Sequence, residues 1–92
     1  MAQSVKHVVF YGVSELAEIA YISLHETSIK MVGVVDEKKI GKIFFGSAVL
    51  SPDMLDSLSF DRIIITSINE DDTAMKKLLK KGISRNKIVV LE

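Results

Sequence analysis

Cysteine is absent from this 92-residue chain, which excludes disulfides, thiolate zinc sites and thiol catalysis together. The absence fits a reducing compartment, and a cytoplasmic location is the expectation. No apolar run comes near the ~20 residues that a membrane-spanning helix requires. Met1 to Phe10 does not read as a signal peptide, because Lys6 and His7 interrupt its short apolar stretch. Charge of one sign is missing too. Lys+Arg and Asp+Glu number 12 each, so the formal net charge is zero. Without a basic excess this segment is a poor holder of a phosphate backbone, and nucleic acid is not an expected partner. The two histidines, His7 and His25, have no second His or Cys at ligand spacing, so no metal site is expected.

What remains is the balance of a globular domain, 48% apolar and 26% charged residues. The length suffices for one hydrophobic core and not for two. A single domain over residues 1–92 is expected, and the short lead before the first strand predicts that it is part of a longer protein.

Strands alternate with helices along the chain. His7 to Tyr11 is a buried strand ended by Gly12, and Ser14 caps a helix that runs to Leu24. Leu16, Ile19, Ala20 and Leu24 fall on one side of it at helical spacing and are predicted to face the core. Ile29 to Val35 is a second strand, closed by Asp36. Glu37 to Gly46 reads as a loop holding one short extended piece near Phe44. Ser51-Pro52-Asp53 starts a short helix that ends about Leu58. Phe60 to Thr66 is the third main strand. Asn69 caps a helix with Glu70, Asp71 and Asp72 in its first turn and Lys76, Lys77, Lys80 and Lys81 near its end, stopped by Gly82. Lys87 to Leu91 is the fourth main strand. Phe44, Phe45 and Phe60 are expected in the core or at an interface.

This order predicts an α/β fold: a parallel sheet with right-handed crossovers and helices on both faces, three layers in all. The near-continuous apolar strands agree. The expected order of the four main strands is 2-1-3-4, with the Phe44 piece as an extra edge strand beside strand 2.

In such a sheet, ligands lie beyond the C-terminal ends of the strands, where the winding reverses. The mouth of that crevice would hold Tyr11, Gly12, Val13, Ser14, Asp36, Thr66 and Ser67. Gly12-Val13-Ser14-Glu15-Leu16-Ala17 matches the first and last positions of the dinucleotide pattern G-x-G-x-x-G/A. Ser14 stands at the middle glycine, and Glu15 sets a negative charge where a phosphate would sit, a repulsion of ~1 kcal/mol or more if poorly solvated. A phosphate-binding turn and a plain capped turn both remain open. Asp36 follows Gly12 by 24 residues, where a carboxylate can accept from ribose hydroxyls. The alternative is an acid opening an exposed turn. Lys38, Lys39 and Lys42 are either phosphate partners or a solvated loop. The Thr66-Ser67-Ile68-Asn69 stretch offers hydroxyls to a ligand, or serves only to cap the next helix. A nucleophile elbow is not expected, because Gly12-Val13-Ser14-Glu15-Leu16 lacks its second glycine. No catalytic residue is expected, and a self-contained enzyme is the least favoured reading.

Val8 to Ala17 followed by Val32-Gly33-Val34-Val35-Asp36-Glu37, Gly46 to Leu50 and Asp61-Arg62-Ile63-Ile64-Ile65 resembles the Rossmann-like N-terminal domain of polysaccharide-biosynthesis nucleotide-sugar epimerases and dehydratases, and the related CoA-binding-type domains. Phe10-Tyr11-Gly12, Ser14 to Ala20 and Leu50-Ser51-Pro52 are also similar to the small Rossmann-like domain that follows the DNA-binding part of some bacterial winged-helix transcriptional regulators. These resemblances imply a domain that binds a nucleotide-like small molecule, NAD(P) or another nucleotide, and regulates an attached DNA-binding part; the topology puts the expected binding residues at Gly12, Val13, Ser14, Asp36, Thr66 and Ser67. The alternatives are an accessory domain of a nucleotide-sugar enzyme and a dimerisation module without ligand. A homodimer is among the expectations.

Overall fold

The structure, a computed structural model, describes residues 5–66 and 71–90, for 71 and 72 the backbone alone. Its elements are β1 (His7–Tyr11), α1 (Glu15–Leu24), β2 (Lys30–Val35), β3 (Ile43–Phe44), β4 (Ser47–Ala48), a 3₁₀ segment (Pro52–Ser57), β5 (Arg62–Ile65), α2 (Asp71–Lys80), a 3₁₀ turn (Arg85–Lys87) and β6 (Ile88–Val90). Strands β2, β1, β5 and β6 form one four-stranded sheet in that order, and every neighbouring pair is parallel. The four main strands therefore take the 2-1-3-4 order expected of them. None of the helices among the described residues is long and apolar enough to cross a membrane.

The apolar runs of the strands divide by alternation, since successive side chains point to opposite faces. Val9, Tyr11, Val35, Ile63 and Ile65 form one buried cluster with Ala74 and Leu78 of α2 and with Leu55 of the 3₁₀ segment. Val8, Phe10 and Val34 form the other with Ala17 of α1, Phe44 and Val49. Central strand β1 contributes to both, and its Val8, Val9 and Phe10 are at most 2% exposed.

Helix α1 starts as its sequence implies. The Ser14 side chain accepts from the Ala17 N–H in an N-cap. Its inward face is turned from the expected one. Val13, Ala17, Ala20, Tyr21 and Leu24 pack toward the sheet, while Ile19 is 62% exposed. Apolar residues lie around most of this helix, so periodicity alone left its phase open. Helix α2 is followed by Gly82 at φ +90, the left-handed conformation expected just past a helix end. The expected Asn69 cap and Glu70 lie outside the described residues, as does Leu91 at the end of the last strand. Residues 52–57 coil as a 3₁₀ segment, with the Ser51 hydroxyl accepting from the Asp53 N–H and Pro52 in the first turn.

The Phe44 piece does not extend the main sheet. It pairs with Ser47–Ala48 as a separate antiparallel hairpin. The place beside β2 is taken instead by Leu50, which makes a parallel bridge to Val35 and bonds to Val34 and Asp36 through its backbone. The hairpin loop is Phe45-Gly46, both at positive φ, +48 and +84. A two-residue loop of this kind matches the twist of the strands. Phe45 occupies a conformation that costs a bulky residue ~1 kcal/mol or more. Its ring stacks on Tyr21 at 4.2 Å, which offsets that cost.

Leu78 is fully buried between α2 and the sheet, so Leu78→Ala should lower the unfolding free energy by about 2–5 kcal/mol in urea titrations. Asp61 fastens the start of the sheet, its Oδ2 accepting from the N–H groups of Lys6 and His7 at 2.8 and 2.9 Å. Those two bonds, Lys6 first, hold its carboxyl below the usual aspartate range. A lowered folded pKa gives stability that is present above the unfolded value and lost as the pH falls through the folded one. The thermal stability of wild type over Asp61→Asn should therefore shrink as the pH falls below the usual aspartate value near 3.8.

Candidate functional site

The C-terminal ends of β1, β2 and β5 meet at one rim. Gly12 leaves β1 at φ +110, a conformation that suits glycine, and its N–H donates to the Val35 carbonyl at 2.8 Å. The turn that follows is tied to the end of β2. The Val13 N–H donates to Asp36 Oδ2 at 2.9 Å, and the Lys38 N–H donates to Asp36 Oδ1 at 2.8 Å. Lys39 adds a bond from its ammonium to the Val13 carbonyl at 3.2 Å.

A second set of bonds ties the same turn to the end of β5. Thr66 is fully buried, and its hydroxyl lies within bonding distance of the Tyr11 and Gly12 carbonyls, at 3.2 and 2.5 Å. The Ser14 hydroxyl donates to the Thr66 carbonyl while accepting from the Ala17 N–H. One serine thus caps α1 and clasps β5. Both hydroxyl hydrogens are committed within the protein, so neither side chain is a spare donor for a ligand.

Above these bonds lies a cleft of about 50 Å³, lined by Tyr11, Gly12, Asp36, Glu37, Lys38, Thr73, Ala74 and Lys77. Gly12 and Asp36, the two positions on which the crevice rests, are brought together. Val13, Ser14 and Thr66 sit beside and beneath it and are not among its described lining residues, and Ser67 lies outside the described residues. The far wall comes from α2, which reading strand ends alone did not reveal. The signal was available in the helix that follows β5, since a helix leaving the switch-point strand must flank the crevice. Lys77 and Glu37 pair across the mouth at 3.0 Å, both about half exposed, a contact worth at most about 1 kcal/mol and weakened by salt.

Residues 4–89 match the model of a family described as C2185-like, N-terminal. The chain belongs to this family. Among the curated proteins, none matches it.

The rim of this C2185-like domain contains two carboxylates, two ammonium groups, glycine backbone and a tyrosine within one small cleft. Such a set can hold a small polar ligand by hydrogen bonds and charge. Asp36 has about four acceptor positions on its two oxygens, and the two N–H bonds leave others for outside donors.

Thr66→Val should lower stability by about 1–3 kcal/mol, because the Gly12 carbonyl loses its buried donor. Thr66→Ser should recover most of the difference in the same urea titration.

Proposed function

We propose that this is a Rossmann-like domain of three layers that senses a nucleotide-like small molecule at the Gly12–Asp36 rim and performs no chemistry of its own. The observation that carries the reading is the meeting of Gly12 and Asp36 in one cleft, where the winding of a parallel sheet reverses between β2–β1 and β5. The acceptor positions left on Asp36 suit a ribose diol or a similar pair of hydroxyls. Lys38 and Lys77 supply positive charge at the mouth for the ligand's phosphates.

The cleft of about 50 Å³ is far smaller than the ~300–1,000 Å³ of a site that encloses a small molecule. The ligand therefore lies across the rim, and the Lys77–Glu37 pair gives way to it. Binding that parts α2 from the loop after β2 would favour one arrangement of these elements over another. That difference is what lets a ligand bias an attached domain. We place this sensing role in a bacterial transcriptional regulator in the cytoplasm.

The description of the matched family as an N-terminal domain favours a second reading, in which the domain precedes its partner in the parent protein, as in the nucleotide-sugar epimerases and dehydratases it resembles. The ligand chemistry at the rim is the same in both.

Thermal shifts with NAD, NADH, CoA, ATP and UDP-sugars test the proposal. At least one should raise the melting temperature of the wild-type chain, and Asp36→Ala should abolish that rise. A full rise in the variant would remove Asp36 from ligand recognition. No rise with any of the five would leave the domain as an interaction module.

A further inference from the structure

Helices α1 and α2 each carry an apolar side chain or two in the open, and the charges around them have opposite signs. On α1 the outward stripe is Glu15, Glu18, Ile19 and Ile22, with the isoleucines 62% and 59% exposed. On α2 it is Thr73, Lys76, Leu79 and Lys80, with Leu79 40% exposed over a shallow groove between the lysine stems. Each set falls at three- and four-residue spacing, so its members are neighbours on one helix face. The polarity extends beyond the helices. Past Asp71 and Asp72, the two acids that open α2, residues 73–90 hold six of the chain's 12 Lys and Arg and no further Asp or Glu. The helix dipole favours cations only in the last turn of α2, whereas Arg85 and Lys87 lie past its end. Asp53 and Glu37 pair with Lys81 and Lys77, and among the described residues no acid pairs with Lys76 or Lys80.

We infer that the outward face of α1 in one copy of this chain docks on the outward face of α2 in a second copy. Ile19 and Ile22 would rest on Leu79 and the lysine stems, and Glu15 and Glu18 would meet Lys76 and Lys80. The charge complementarity selects this pairing over the alternatives. Two α1 faces would set acid against acid, and two α2 faces base against base. A nucleic acid would gain nothing from Leu79. A membrane surface would find one exposed apolar side chain here, because Ala74 and Leu78 are buried in the core. A formal net charge of zero leaves no general repulsion between copies.

The geometry also sets the symmetry. Helix α1 packs on Val8, Phe10 and Val34, and α2 packs on Val9, Tyr11 and Val35, which alternate across the sheet. The two outward faces therefore look away from each other. One copy offers α1 on one side and α2 on the other, a head-to-tail contact that closes into a ring or runs on as a filament. Two ten-residue helices bury less than a stable interface needs, so a dissociation constant of roughly 0.1–1 mM is expected.

Translational diffusion by NMR, with the full chain at rising concentration, reads the association. Wild type should slow with concentration at low salt and less so at high salt, with amide shifts on 15–22 and 73–80. Glu15→Lys with Glu18→Lys in one variant, and Lys76→Glu with Lys80→Glu in another, should each stay monomeric while keeping the wild-type circular dichroism. The decisive sample mixes the two variants. The first keeps a native α2 face and the second a native α1 face, and their two reversed faces carry opposite charges as well, so together they should regain the concentration-dependent association that each lacks alone. Wild type that stays monomeric, a variant that still associates alone, a mixture that does not pair, or shifts centred on other elements would each overturn the proposal. Binding of an acidic peptide to α2 without pairing in the mixture would overturn it too, and would give the face to another protein.

Discussion

The fold rests on one constraint: the middle of the sheet is shut off from water on both faces. Strand β1 lies between β2 and β5, and its side chains alternate between two separate clusters. A strand so placed must be apolar at every position, and Val8 to Tyr11 is. Each cluster then needs its own cover, which is why α1 and α2 both exist and why the connections between parallel strands are long enough to hold them. The hairpin and the 3₁₀ segment fill what the two helices leave open.

The same constraint shapes the rim. Where the strands end, backbone groups emerge from the ladder and need partners. Thr66, Ser14 and Asp36 supply them, each joining two segments that are distant in sequence. A carboxylate that accepts two backbone N–H groups is fixed in place. The crevice is thus built from side chains that hold the protein together, and its exposed chemistry comes from what those bonds leave over.

Much of this was legible in the sequence, for identifiable reasons. The four main strands and their order follow from apolar runs separated by helix signals, and Ser14 and Gly82 read directly as a cap and a stop. The meeting of Gly12 and Asp36 follows from topology once the strand order is known. The phase of α1 was not legible, because Ile19 and Ile22 are as apolar as the residues that face inward. The hairpin was also hidden. Its loop is Phe-Gly, where the usual signal has Asn or Asp before the glycine, and only the Tyr21 ring makes the aromatic acceptable. The bonds of Ser14 and Thr66 to opposite strand ends leave no trace in either residue's neighbours along the chain.

That hairpin has a different standing from the sheet. Strands β3 and β4 are two residues each and share no ladder with the four main strands. What secures them is chiefly Phe44, sunk beside Phe10, and the ring contacts among Tyr21, Phe44 and Phe45. The backbone bonds of Val49 to Lys42 and Gly41 hold only the base of the hairpin, so its tip can open where those ring contacts loosen while β1, β2, β5 and β6 stay paired. Residues 43–48 therefore form a unit that opens on its own, and their amides exchange with solvent long before the molecule as a whole unravels.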